Sequence, residues 1–285
     1  TDLFGRTGHA TSRARRVQHG AVLAVLRSVS SPSTAVTFDL WGTLIFEFGT
    51  KPNSIKRRQL RADYSLDVLT GLGESVEHSN FVAVLNTISE DIIAAHDEAR
   101  DSSLAEWIES GLALIDRDLP KRIGGSGVTA VVDAIDRSFI ESPPTLLDGS
   151  LDLLERVRDR GVHVGLISNA GLTSSKAFRV WFEQIGLLDK FEYMAFSNDL
   201  AMAKPAKQIF ELALNALETR PARALHVGDN MHADVAGAAA AGMSTVWVRG
   251  GIESSTPTQT KPDYAVDSVL ELIPVVDRWL DSLEK

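Results

Sequence analysis

Four short stretches of this 285-residue sequence end in side chains that could do chemistry. The run FDLWGTLI, residues 38–45, carries Asp39 at the exit of an apolar segment, followed closely by a Gly-Thr step. VHVGLIS ends at Ser168 and is followed by Asn169; Lys204 stands just before Pro205; ARALHVGD ends at Asp229. The set combines a carboxylate, a small hydroxyl, an ammonium and a second carboxylate. It suits phosphoryl transfer, because a carboxylate can attack phosphorus and form an aspartyl-phosphate. Two carboxylates and a backbone carbonyl can hold Mg2+, a hard cation that takes oxygen ligands in near-octahedral geometry. A hydroxyl, backbone N–H groups and a lysine can hold the equatorial oxygens. The lysine and the metal would also keep Asp39 ionised. Each stretch alone has an ordinary reading: a turn, a helix cap, or a solvated lysine.

The elements that would bring these residues together follow from the pattern. VHVGLIS (162–168), FEYMAFS (191–197), ARALHVGD (222–229) and STVWVRG (244–250) have strand length and near-continuous apolar character. Between them lie helical segments: 174–186, then PAKQIFELALNAL with Pro205 in its first turn, then the Ala-rich 233–242. This alternation predicts a parallel sheet covered on both faces, joined by the strand AVTFDL (35–40). In such a sheet the C-terminal strand ends share one edge, where ligands bind. Residues 50–144 break the rhythm. They carry apolar residues at three- and four-residue spacing and predict a helical insert, punctuated by glycine and proline at 71–73, 123–127 and 142–144. The segment 253–263 reads as a polar surface loop.

Composition narrows the class. A net charge of -9 argues against a nucleic-acid binder. No run approaches the ~18–20 apolar residues of a membrane span. The absence of cysteine removes disulfides, zinc-thiolate sites and thiol catalysis, and fits the cytoplasm. The first 34 residues differ: five arginines and one acid, Asp2. They read as a basic amphipathic arm that packs on the body, on a second copy in a homodimer or on a protein partner, with an organelle-targeting segment as the alternative.

The four stretches together resemble the haloacid dehalogenase (HAD) superfamily, in its subgroup with a helical cap after the first motif. Asp39-Leu-Trp-Gly-Thr43 matches the first motif, LISNA with Ser168 the second, Lys204 in AKP the third, and VGDNMHADVAGA with Asp229 and Asp234 the fourth. The resemblance implies a doubly wound α/β core over 35–49 and 145–285, and a cap over 50–144. It implies Asp39, Lys204 and Ser168 as catalytic, with Asp39, the Trp41 carbonyl, Asp229 and Asp234 around Mg2+. Thr43, Asn169, Arg57 and Arg58 are the expected substrate contacts, the arginines belonging to a cationic cluster with Lys51, Lys56 and Arg61. The expected substrate is a small phosphorylated molecule.

Trp41 departs from the phosphatase pattern, in which the residue two after the nucleophile is usually an aspartate that protonates the leaving oxygen. An indole is a donor only, and a positioned acid/base is typically worth ~10²–10⁴-fold. A substrate group, a cap residue or a water would have to replace it. Three readings follow: a Mg2+-dependent phosphatase, a metal-independent 2-haloacid dehalogenase, and a weakly catalytic protein that binds a ligand or a protein partner. The dehalogenases carry an aromatic residue at this place. They lack the paired acids kept here, and they have a tyrosine where Phe210 stands. His226 is expected to face a flanking helical layer and His232 to be solvated; neither is given a role.

Overall fold

The computed structural model describes residues 33–46, 51–251 and 256–284. The basic arm lies outside these residues, apart from its last two. In chain order the elements are β1 (Ala35–Phe38), β2 (Ile45–Phe46), α1 (Pro52–Gly71), α2 (His78–Asp97), α3 (Leu104–Ile115), α4 (Leu119–Glu141) and β3 (Thr145–Leu146). Then come α5 (Ser150–Asp159), β4 (His163–Ser168), α6 (Ser175–Gln184), β5 (Tyr193–Phe196), α7 (Ser197–Leu200) and α8 (Lys207–Ala216). The chain closes with β6 (Ala224–Gly228), α9 (Gly237–Ala240), β7 (Ser244–Val248), β8 (Tyr264–Val266) and α10 (Leu272–Ser282).

Six strands form one parallel sheet in the order β5-β4-β1-β6-β7-β8. β1 is central, with every residue buried, as its largely apolar run requires. Alternate residues face opposite layers. Val164 and Leu166 of β4 pack with Leu154, Phe178 and Trp279 from α5, α6 and α10. Ile167 packs with Ile209, Phe210 and Ala238 from α8 and α9. The fold is thus a doubly wound α/β sheet with helices on both faces.

Helices α1–α4 enter between β2 and β3, a two-stranded antiparallel ribbon that forms the stalk of the insert. They have their own apolar core, including Leu69, Phe81, Ile88, Ile108 and Val131, so the inserted cap folds around buried side chains of its own. α3 starts with a capping box, Ser103 with Glu106. α4 is broken at Gly124, whose φ of 67° is left-handed, in the glycine cluster read as punctuation.

Some expectations need correction. The helix expected to begin at Pro205 begins at Lys207. The Asn169 side chain holds the backbone of Lys204 at both its N–H (2.8 Å) and its carbonyl (3.0 Å), which keeps 204–205 in a turn. The Ala-rich helix expected over 233–242 is a π-helical turn, Met231–Ala236, followed by α9. Asn230 caps this turn through the N–H groups of His232 and Ala233, and Asp234 inside it turns toward Lys204. The edge strand β8 was not anticipated: three residues beside a polar loop carry too short a pattern. No described helix is long and apolar enough to cross a membrane.

Candidate active site

Asp39 continues the line of β1, its N–H donating to the carbonyl of Val227 on β6 (2.8 Å). The chain then turns tightly: Leu44 N–H donates to the carbonyl of Leu40 and Gly42 N–H to that of Ile45. Gly42 has φ +75°. A Cβ there would lie 2.1 Å from Asp229 Oδ2, and one on Gly251 would meet the same atom at 2.1 Å. Two bare backbones therefore make room for that carboxylate. Gly42→Ala is expected to cost ~1–2 kcal/mol of stability from the left-handed backbone alone and to displace Asp229. Urea unfolding and turnover of the purified variant check both effects.

Lys204 sits at the centre. It is 2% exposed and its Nζ donates to Asp39 Oδ1 (2.5 Å) and to Asp234 Oδ1 (2.6 Å). Burial alone would lower the lysine, but Asp234 and Asp39 outweigh it and hold it above its ordinary value. Burial pushes Asp39 up to about 6, with Asp234 adding and Lys204 opposing. Asp234 is also buried, yet Lys204 and His226 hold it below the ordinary carboxylate range. Of two acids around one ammonium, Asp234 is the permanent counter-ion and Asp39 the less satisfied one.

His226 supports this pair. It is buried, with Nε2 at 3.1 Å from Asp234 Oδ1 and Nδ1 at 2.9 Å from Thr37 Oγ1. Burial keeps its pKa low, so the neutral ring donates to Asp234. The expectation that His226 only faces a helical layer is corrected; its edge contact with Phe210 in that layer is real, but its nitrogens serve the site. His232 is half-buried rather than fully solvated. It lines the cavity with Nε2 buried and without a hydrogen-bond partner, because the capped turn folds it inward.

Asp39, Asp229 and Asp234 place ligand oxygens within 4.8 Å of one another, all three buried. Three carboxylates against one ammonium are a donor set that fits a hard divalent cation. Asp234 is already committed to Lys204, His226 and the Asn230 N–H, so Asp39 and Asp229 are the better-disposed ligands.

These groups form the floor of a cavity of about 810 Å³ beneath the cap. Arg57, Arg58 and Arg61 of α1 line it from above. Arg57 is buried, donates to the carbonyl of Ser142 (2.7 Å) and lies 5.9 Å from the Trp41 ring. Arg61 is pushed down by burial and by Arg57 and Arg58, with Asp136 opposing; its Nε is buried without a partner. Lys51 and Lys56 of the same cluster are exposed. Asn169 lines the wall, with its amide engaged by Lys204. Ser168 and Thr43 are fully buried one step behind it. The Ser168 hydroxyl points to the Asn169 carbonyl (3.4 Å) and that of Thr43 to Asp39 Oδ2 (3.4 Å). Asp39, Lys204, Asp229 and Asp234 thus meet at one sheet edge, while the two hydroxyls flank them.

The cap is tied to the core through Asp101, whose carboxylate accepts from Ser197 Oγ (2.6 Å), Trp107 Nε1 (2.8 Å) and the Ser102 N–H (2.7 Å), with His96 Nε2 at 2.9 Å. Burial pushes Asp101 up, but His96, Ser197 and Trp107 together hold it below its ordinary value of 3.8. A depressed carboxylate stabilises the fold above that value and loses its contribution as pH falls below it. Asp101→Asn is therefore expected to cost ~1–3 kcal/mol at neutral pH. The gap to wild type should narrow below about pH 4 in denaturant titrations. Sequence reasoning missed this group; only the spacing of His96, Asp101 and Trp107 hinted at it.

The family model for haloacid dehalogenase-like hydrolases matches residues 34–242. The chain belongs to that family. Two curated relatives are phosphatases by name. The ribulose-1,5-bisphosphate 5-phosphatase of Halopiger xanaduensis is 30% identical over 154 residues, covering 52% of this chain and 63% of that protein. The glyceraldehyde 3-phosphate phosphatase of Pyrococcus furiosus is 30% identical over 134 residues, covering 46% and 54%. The chain thus spans somewhat over half the length of these relatives. Among solved structures, a 2-haloacid dehalogenase from Pseudomonas syringae superposes with TM-score 0.60 at 21% identity, over 87% of this chain and 99% of that one. An HAD phosphatase from Thermococcus onnurineus does so with TM-score 0.56 at 22% identity, over 85% and 97%. The HAD fold is thereby established, and it is shared by dehalogenase and phosphatase alike.

Proposed function

We propose that this HAD hydrolase is a Mg2+-dependent phosphatase of a small phosphorylated metabolite, acting through an aspartyl-phosphate on Asp39. The observation that carries this is the floor of the cavity: Asp39 bonded to Lys204, with Asp229 and Asp234 closing a triangle of buried carboxylates. Two buried acids beside a nucleophilic third repel it unless a cation is shared, which favours phosphate chemistry over metal-free dehalogenation. The names of the phosphatase relatives point the same way.

In this reading Asp39 and Asp229, with the Trp41 carbonyl and Asp234 behind, would hold Mg2+, which neutralises phosphoryl charge as a Lewis acid. Lys204 keeps Asp39 ionised and oriented, and would hold an equatorial phosphoryl oxygen. Ser168, Thr43 and the backbone amides beside Asn169 complete the phosphate seat. Arg57 and Arg58, with Arg61, face the distal part of the substrate. Three guanidinium groups over an otherwise acidic floor suit a second anionic group there.

Phosphate release from a panel of sugar mono- and bisphosphates and nucleoside monophosphates, with Mg2+ and with EDTA, tests this. Turnover is expected with Mg2+ and is expected to fall by more than ~100-fold on chelation. Chloride release from 2-haloacids in EDTA would instead support the dehalogenase reading, which Trp41 keeps alive.

A further inference from the structure

Breaking a phosphoester leaves an alkoxide that needs a proton, and hydrolysing an aspartyl-phosphate needs a base for the attacking water. Neither demand is met on the cavity floor. Asp39 is the attacking group, Lys204 is held between two carboxylates, and the indole of Trp41 does not titrate. The wall of the cavity carries another candidate. His96, near the end of α2, lines it, with its side chain 14% exposed and Nε2 at 2.9 Å from Asp101. Asp101 is buried, with its pKa held down by its donors. An ionised Asp101 accepts a hydrogen bond from Nε2–H, so the neutral ring presents Nδ1 as a lone pair and the charged ring presents Nδ1–H. Nδ1 has no partner among the described residues and is not buried.

The segment that carries this pair is fastened to the parts of the core that build the site. Arg100 bridges to Met202, and the Ala203 N–H donates to the carbonyl of Ala99 (3.3 Å), one residue before Lys204. Ser197, which donates to Asp101, accepts from the N–H of Ala170, next to Asn169. The imidazole is therefore positioned relative to both the lysine turn and the phosphate-seat loop. Other charged or titratable groups lining the same cavity are Asp97 of α2, Arg57, Arg58 and Arg61 of α1, His232 of the fourth-motif turn, and the floor of Asp39, Lys204, Asp229 and Asp234.

We propose that His96, oriented by Asp101, is the general acid and base of this enzyme, in the role that Trp41 cannot fill. The inference rests on the phosphatase reading. In the first half-reaction Asp39 forms a bond to phosphorus, the bond from phosphorus to the leaving oxygen breaks, and the Nδ1 proton passes to that oxygen. In the second, neutral His96 takes a proton from water as its oxygen attacks the same phosphorus. The acyl-phosphate bond breaks, phosphate leaves, Asp39 is regenerated, and His96 is again protonated. Asp101 is a positioning residue.

The test uses the full chain with Mg2+, as wild type, His96→Asn and Asp101→Asn, on an alkyl phosphate and on p-nitrophenyl phosphate. For His96→Asn, kcat on the alkyl phosphate is expected to fall ~10²–10⁴-fold with little change in KM. p-Nitrophenolate needs no proton to leave, so that substrate should give a stoichiometric burst followed by slow turnover as phosphorylated Asp39 accumulates. The limb of the wild-type pH profile that reports the acid should vanish in His96→Asn, and Asp101→Asn should lower kcat on the alkyl phosphate with little change in KM. A His96→Asn enzyme whose kcat stays within about threefold of wild type overturns the proposal, as does a change confined to KM, since a positioned acid/base is worth far more. If His96→Asn does not fold, His96→Gln takes its place, and an Asp101→Asn enzyme whose kcat on the alkyl phosphate stays at the wild-type value overturns the proposal. Absence of any Asp39-dependent phosphoenzyme in wild type overturns the phosphatase reading as well. A normal phosphoenzyme with an unaffected His96→Asn overturns this inference alone.

Discussion

Asp39→Asn is expected to reduce phosphate release by ~10⁴–10⁶-fold, the scale of losing a covalent nucleophile. No labelled phosphoenzyme should survive acid quench. The fold should hold. The charge removed is one that burial already disfavours, since Asp39 is pushed up to about 6, and Lys204 keeps Asp234 as a partner at 2.6 Å. Unfolding free energy is expected to change by less than ~1 kcal/mol. A dead but stable variant separates chemistry from architecture. Residual activity above ~1% of wild type would mean that another group attacks, because removing a true nucleophile costs far more.

Lys204→Met has a different signature. The ammonium, 2% exposed, is the cation shared by Asp39 and Asp234, at 2.5 and 2.6 Å. Methionine fills much of the volume but leaves two buried acids facing each other. Removing one member of a buried ionic group typically costs ~3–5 kcal/mol, and urea unfolding at pH 7 is the measurement. Activity should collapse too. The two variants therefore diverge in stability while agreeing in rate, which a generic loss of fold would not produce. An unfolding free energy within ~1 kcal/mol of wild type would contradict the buried network.

The edge of the sheet that carries the candidate site was legible because its strands are short and largely apolar, and β1, β4 and β6 run into Asp39, Ser168 and Asp229. Asp39 after AVTF and Asp229 after ALHVG needed only the rule that parallel strands share one edge, whereas Lys204 and Asp234 needed the resemblance to the family's third and fourth motifs. The helical insert was legible from its periodicity, although Gly124 divides α4. Side-chain partnerships were not. Nothing in the order HVGDNMHAD says that His226 reaches Asp234 while His232 turns inward. The Asp101 cluster joins α2, α3 and α7 and exists only once the cap has docked. Pro205 misled because a proline before a helical pattern usually opens the helix, whereas here the side chain of Asn169 claims the backbone of the residue before it.

That last contact reaches beyond a helix boundary. Asn169 follows the strand that ends in Ser168, and with one amide it grips both the N–H and the carbonyl of Lys204. Two segments of the candidate site, 35 positions apart in the chain, are welded into a single unit before any ligand arrives. Disorder in their mutual alignment is removed during folding rather than at each turnover, so the lysine charge is already aimed when a substrate enters. Trimming Asn169 to alanine should accordingly blunt the reaction through a wandering ammonium, even though no atom of the reactant need ever touch that amide.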